Sequence, residues 1–209
     1  PNKNTKKRVE DYLIGIRKFY DLADYLTINI SSPNTENLRS FHNENELNDL
    51  LDAIKKEKEN LKTSIPTILK ISPDINDKEI EKISSLVLEY SIPSIIISNT
   101  SDRTRDILKN INKLEKGGLS GKPIEQKSNI IINKFFKNLK NKVKIIGVGG
   151  VDSAESAYKK ILNGASLIQL YTGMVYKGPS IANKISEDLN NLLKKQGVIN
   201  ISEIVGTKK

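Results

Sequence analysis

Apolar residues at Val9, Tyr12, Leu13, Ile16, Phe19, Tyr20 and Ala23 recur at helical spacing, so the chain opens with an amphipathic helix. The next segment, 25–30, reads Tyr-Leu-Thr-Ile-Asn-Ile; it is short, rich in β-formers and stopped by Ser31-Ser32-Pro33, which makes it a strand. The same alternation continues. A charged amphipathic helix is expected over 44–62, a strand over 67–71 closed by Ser72-Pro73-Asp74, a helix near 77–90 and an almost wholly apolar strand over 95–97. A loop marked by Gly117, Gly118 and Gly121 then leads into a helix near 124–139 and a strand over 143–148, followed by Gly149-Gly150. Asp152 or Ser153 caps the next helix, which stops at Asn163-Gly164; a strand over 166–170 and a last amphipathic helix near 180–195 complete the series.

Five strands of buried character, joined by connections too long for hairpins, imply a parallel sheet covered by helices. Two α/β architectures fit: an open doubly wound sheet and a (β/α)8 barrel. Both carry their chemistry at the carboxyl ends of the strands. Here those ends are polar or glycine-rich in every case: Asn29-Ile-Ser-Ser-Pro-Asn34, Lys70-Ile-Ser-Pro-Asp74, Ser98-Asn99-Thr100, Gly147-Val-Gly-Gly150 and Tyr171-Thr172-Gly173. The opposite ends carry nothing comparable.

Composition narrows the chemistry further. The 209 residues correspond to one large domain or two small ones at about 150 residues each. Zero Cys excludes disulfides, zinc-thiolate sites, iron–sulfur clusters and cysteine nucleophiles, and a single His, His42, excludes a multi-histidine metal site. No metal is expected. The net charge of +9 raises the possibility of an anionic partner, but only five of the 34 basic residues are Arg, the residue that reads phosphates and base edges bidentately. Lys55, Lys56 and Lys58 alternate with Glu57 and Glu59, which reads as a solvated helix face. Nucleic acid is therefore not the expected partner. No segment approaches the roughly 20 apolar residues that span a bilayer, so any membrane attachment is expected elsewhere. The chain starts at Pro1 without a signal-like apolar run, and is expected to be part of something longer.

Gly149 and Gly150 follow a strand and precede a capped helix, which lets backbone N–H groups approach an anion. The next strand ends in Tyr171-Thr172-Gly173, so two adjacent loops could close over one phosphate, as barrels do after their last two strands. Ordinary turn glycines are the alternative. No G-x-G-x-x-G follows the first strand and there is no P-loop, which disfavours a Rossmann site or a Walker NTPase. Asn29, Asn34 and Asn99 offer amide donors and acceptors suited to a pyrimidine-like ring, although Asn also favours turns for local reasons. Lys70 ends an otherwise apolar strand; it either meets an anionic or electron-rich partner or snorkels to solvent. His42, beside Phe41 in a polar loop, reads as a surface residue.

In order along the chain, Asn29-Ile-Ser-Ser-Pro-Asn-Thr35, Lys70-Ile-Ser-Pro-Asp74, Ser98-Asn-Thr100, Gly117-Gly-Leu-Ser-Gly121, Ile145-Ile-Gly-Val-Gly-Gly150 and Gln169-Leu-Tyr-Thr172 closely resemble the class 2, quinone-dependent dihydroorotate dehydrogenases. The resemblance implies a (β/α)8 barrel, incomplete here and comprising about the last five βα units, strands 4 to 8. It implies FMN as cofactor and oxidation of dihydroorotate to orotate, with a quinone as acceptor, in pyrimidine (UMP) synthesis. Residue by residue, Ser32 takes the position of the catalytic base, where a Cys would indicate the soluble class 1 enzymes. Asn29, Asn34, Asn99 and Thr100 match substrate-binding positions. Asn29, Lys70, Ser98, Gly121, Gly150, Tyr171 and Thr172 match FMN contacts, with Ser98 standing where the family commonly has Thr. A serine needs a polarising neighbour or a water chain under a lid to act as a base, and the loop 35–46, with Arg39 and His42, is the expected lid.

The segment Asn2-Lys3-Asn4-Thr5 resembles the stretch just after the family's third strand, so residues 1–209 are expected to form a single partial domain. The earlier strands and the helical domain that meets membrane and quinone would then be absent. The resemblance implies a peripheral protein of the bacterial inner membrane on its cytoplasmic face, or of the mitochondrial inner membrane, with this segment itself soluble and inactive alone. Two other readings remain: another FMN-dependent barrel reductase, and a lysine-rich binding fragment without activity.

Overall fold

The short apolar runs assemble side by side, in chain order, into one parallel sheet. Its strands are β1 (Leu26–Asn29), β2 (Thr67–Ile71), β3 (Ser94–Ile97), β4 (Lys144–Gly147) and β5 (Leu167–Ile168). The computed structural model describes residues 7–208 except 36, 37, 104 and 107. The segment Asn2–Thr5, likened to the stretch just after the family's third strand, lies outside the described residues. Helices α1 (Arg8–Phe19), α2 (Glu44–Asn60), α3 (Asp77–Glu89), α4 (Glu125–Leu139), α5 (Ala154–Leu162), α6 (Thr172–Lys177) and α7 (Ile181–Lys195) alternate with the strands.

The period of two along each strand sorts the side chains between two faces. Ile28, Leu69, Ile71, Ile95, Ile97 and Ile145 face the helices and join Leu50, Ile83, Ile132 and Phe135 in the main core. Ile68, Ile96 and Ile146 form a separate buried cluster. Burial on both sides is why these strands read as continuous apolar runs. The register sets Asn29 beside Lys70 and Lys70 beside Ile96, which aligns the carboxyl ends along one rim. Among the described residues β1 pairs only with β2 and β5 only with β4, so the sheet is an arc with two free edges.

Several elements depart from expectation. The last strand shrinks to Leu167–Ile168, an edge pair whose first side chain faces solvent. A short extra helix, α6, starts at Thr172. Glu57 is not on a solvated face: it is nearly buried and accepts two hydrogen bonds from Arg17 of α1, at 2.8 Å each. His42 is buried too, at 3% exposure, because a 3-10 turn at Leu38–His42 turns Leu38, Phe41 and His42 inward. Phe41 packs edge-on against Tyr12, with the Arg8 guanidinium 4.5 Å from its ring centre. Residues 36 and 37 of the expected lid lie outside the described residues, and the remainder is this packed turn followed by the start of α2.

Candidate functional site

The rim starts with the end of β1. Tyr12 of α1 donates to the Asn29 carbonyl at 2.6 Å, holding the strand end in place. The Asn29 side-chain oxygen accepts from the Ser31 hydroxyl at 2.6 Å, and Asn99 Nδ2 donates to that same Ser31 oxygen at 2.9 Å. Two of the amides singled out by sequence are therefore joined through a buried serine that sequence reasoning passed over. Ser32 follows, half-buried, with its Oγ accepting from the Asn34 backbone N–H at 3.2 Å. Among the described residues no carboxylate or imidazole bonds to it. Pro33, between Ser32 and Asn34, packs where a side chain on Gly118 would clash; the same position is closed by Thr100. Thr100 and the β1 loop thus both pack against the glycine loop at Gly118.

Beyond Asn99 a cavity of about 270 Å³ opens at the ends of β2 to β5, lined by Lys70, Ser98, Asn99, Thr100, Gly121 and the segment 148–151, with Tyr171 and Thr172 across from them. Ser98 is 2% exposed and its Oγ has no hydrogen-bond partner among the described residues, an unmet need where buried hydroxyls are normally paired. Lys70 is half-buried with no ion pair or side-chain hydrogen bond among the described residues, and burial pushes its ammonium below the usual lysine range.

Two glycines shape the far wall. Gly149 and Gly150 have φ of +107° and +77°, and a Cβ on Gly150 would stand 2.4 Å from the Glu125 Cβ. Thr172 Oγ1 donates to Ser120 Oγ at 2.9 Å, tying the last strand's loop to the Gly117–Gly121 loop. A wider hollow of about 600 Å³ shares this wall and carries Arg105, Lys113, Lys116, Lys122 and Lys177. It is larger, but the buried unpaired hydroxyl and the strand-end amides belong to the smaller cavity.

Asp74, in sequence no more than a turn residue, proves to be the hub beneath the rim. Its side chain is fully buried and receives Ser101 Oγ at 2.6 Å, the Asp102 backbone N–H at 3.0 Å, Arg39 at 3.2 Å and Lys127. Burial alone would raise its pKa; the bonds from Lys127, Ser101 and Asp102 outweigh burial and hold it well below the usual carboxylate range. Arg39 also reaches the Ser31 and Thr100 carbonyls, so one carboxylate fixes the loops after β1, β2 and β3 together.

Of the expected site residues, Lys70, Ser98, Asn99, Thr100, Gly121, Gly150, Tyr171 and Thr172 line one cavity. Asn29 adjoins it through Asn99, at 3.4 Å. Ser32 and Asn34 stand on the neighbouring loop and are not part of its wall; the Asn34 side chain is exposed. Tyr171 reaches the cavity although most of its side chain faces solvent. His42, expected in a lid, is held neutral: burial first, then the nearby Arg39 charge, lowers its pKa to about 4.

Comparison with known proteins identifies the family and the fold. The sequence profile of the family described as "Dihydroorotate dehydrogenase" matches residues 2–193. A protein named dihydroorotate dehydrogenase (quinone) from Bartonella tribocorum is 42% identical over 206 residues, covering 97% of this chain and 57% of its own length. Another of that name, from Buchnera aphidicola subsp. Schizaphis graminum, is 44% identical over 194 residues, covering 90% of this chain and 58% of its own length. The crystal structure of a ligand-free DHODH from Eimeria tenella superposes with a TM-score of 0.94 at 32% identity, covering 99% of this chain and 61% of that one. The chain thus spans less than two thirds of the length of these relatives, and its five-stranded arc is part of a (β/α)8 barrel. With its profile match, its identity to these relatives and its superposition all in agreement, the chain belongs to the dihydroorotate dehydrogenase family.

Proposed function

We propose that this chain is the FMN- and substrate-binding part of a quinone-dependent dihydroorotate dehydrogenase, which oxidises dihydroorotate to orotate in pyrimidine synthesis. The observation that carries the reading is the strand-end cavity, where the buried Ser98 hydroxyl and the Lys70 ammonium, both without a side-chain partner among the described residues, share the lining with Gly149 and Gly150. These features fit FMN. Gly121, Gly150, Tyr171 and Thr172 would hold the phosphate end, Ser98 and Asn29 would meet polar edges of the ring system, and Lys70 would sit beside the ring. When bound, FMN supplies a hydride acceptor for C6 of the substrate.

Asn29, Asn34, Asn99 and Thr100 would orient the pyrimidine through donors and acceptors, the first three by side-chain amides. Ser32 Oγ would take the C5 proton. A serine hydroxyl does this only when its own proton can leave, through ordered water once solvent is excluded. The binding site for the quinone, the peripheral membrane contact and the earlier barrel strands would lie on polypeptide beyond residues 1–209. Among the described residues no helix is long and apolar enough to cross a membrane.

Adding dihydroorotate to the complete gene product loaded with FMN should bleach the flavin absorbance. Ser32→Ala should slow that step by about 10²–10⁴-fold without changing FMN affinity. Flavin reduction at the normal rate in the variant would remove Ser32 from the role of base. Reduction by other unsaturated rings, with none by dihydroorotate, would favour a different FMN reductase.

A further inference from the structure

Lys160 stands out among the ionisable groups of the described residues. It lies on α5, fully buried at 0% exposure, on the same helix face as Ala157 and Ile161. Its Nζ donates to Ser128 Oγ and to Asn129 Oδ1, both at 3.0 Å. Ser128 passes the interaction on: its hydroxyl donates to the Val148 carbonyl at 2.5 Å, and its Cβ stands 3.3 Å from where a Cβ on Gly149 would be. A directed chain of bonds therefore runs from the ammonium to the turn that forms the glycine wall.

Charge near Lys160 is scarce. Glu125 of α4 is the acid that acts on it, and that carboxylate is engaged by Lys122 at 2.6 Å. On α5 itself Glu155 and Lys159 are exposed; on β4 Lys144 is exposed; on α7, which packs against α5, Lys184 and Asp188 pair with each other at 3.1 Å. A buried ammonium with two neutral acceptors and no carboxylate in contact is costly unless an anion approaches. Burial accordingly lowers its pKa to about 7, against the opposing pull of Glu125.

We propose that Lys160, acting through Ser128, is a positioning residue for the phosphate cradle: it fixes the Val148–Gly150 turn, and its buried charge is answered by the phosphate that the turn receives. The inference rests on the reading of that turn as the phosphate end of an FMN site. It has a consequence that a purely structural lysine lacks. A bound phosphate favours the protonated amine, so binding takes up a proton and affinity declines as pH rises above 7. The phosphate itself is already largely dianionic in that range, with its second pKa near about 6.

The test compares FMN with riboflavin, which lacks the phosphate, on the apo form of the complete gene product between pH 7 and 9, by quenching of flavin fluorescence. In the wild type the FMN-to-riboflavin affinity ratio should fall with pH, by up to about tenfold for each pKa unit that binding adds to Lys160. Lys160→Met should lower the ratio at pH 7 and flatten its pH dependence. Ser128→Ala, which keeps the charge but cuts the bond to Val148, should lower the ratio at every pH and keep the slope; it also serves if the Met variant does not fold. Equal loss of both flavins, an unchanged slope in Lys160→Met, or an unchanged ratio in Ser128→Ala overturns the proposal. If the wild type binds neither flavin, the FMN reading fails separately. Stabilisation by inorganic phosphate against thermal unfolding then decides: a shift larger at pH 7 than at pH 9 and lost in Lys160→Met sustains the role, and equal shifts in both proteins end it.

Discussion

Single residues carry most of the site's constraints, and glycine shows how differently they can do so. Gly150 and Gly197 both have positive φ, +77° and +71°, but a Cβ on Gly150 meets Glu125 at 2.4 Å whereas one on Gly197 meets nothing within 4 Å. Gly197→Ala should therefore cost only the backbone strain, about 1 kcal/mol. Gly150→Ala adds a clash with main-chain atoms and should cost about 3 kcal/mol or more, with loss of FMN binding; paired denaturant titrations of the two variants measure the difference. His42 makes a prediction in pH. Its pKa falls from the usual 6.5 to about 4 on folding, so the unfolded chain takes up a proton first as pH drops. Stability should be unaffected by His42 above pH 6.5, decline between about 6.5 and 4, by up to about 3 kcal/mol, and level off below. His42→Gln should flatten that window in urea titrations. The carboxylate of Asp74, shifted the same way by its cationic and hydroxyl partners, loses its contribution only below the ordinary carboxylate range, so the two limbs are separable.

At the scale of elements, the helices were legible because a period of 3.6 is carried by many residues at once: α2, α3, α4 and α7 all start within a residue or so of the expected position and stop within two. Short elements have no such redundancy. The six residues of α6 hold too little pattern to be read, and β5 lost its ends because an edge strand is defined by pairing on one side only. The site residues at strand ends were legible as polar interruptions of apolar runs. Asp74 and Lys160 were not, since what makes them important is a partner far away in sequence: Lys127 for one, Ser128 for the other. Lys160 did leave a trace, three residues after Ala157 and one before Ile161 on the buried face of its helix. Glu57 was misread for the same reason, its partner Arg17 being 40 residues away. The attachment of α1 to α2 tests which kind of contact matters. The Arg17–Glu57 pair has two good bonds, but Arg17 is well exposed and screened by solvent, so a double-mutant cycle should return less than the loss of a buried apolar anchor. Ile16, the one α1 residue buried in the core, should cost about 2–5 kcal/mol on truncation to Ala. A cycle energy exceeding the Ile16→Ala loss would reverse that ranking.

For the molecule as a whole, the decisive property is the open arc. A closed barrel has no sheet edges, whereas here, among the described residues, β1 and β5 each present one unpaired side, and backbone groups left unpaired at an edge template pairing with another chain. Apolar side chains concentrate next to both edges: Phe19, Leu22 and Tyr25 before and at the start of β1, and Leu167, Tyr171, Val175 and Tyr176 around β5. The cavity wall borders the second edge directly, since Tyr171 and Thr172 follow β5. Whatever completes the sheet therefore also fixes that wall. Produced as 209 residues, the chain should self-associate in sedimentation experiments and bind FMN at least about 100-fold more weakly than a polypeptide carrying the full length of its relatives, a loss of about 2.7 kcal/mol. Supplying the remaining barrel strands as a separate chain should restore both monodispersity and flavin absorbance, because the added strands satisfy the edges and brace the loop at Tyr171. A monomeric 209-residue chain with full FMN affinity would mean that the five-stranded arc is self-sufficient, and that the glycine wall is held by Lys160, Ser128 and Glu125 without help from the missing side of the barrel.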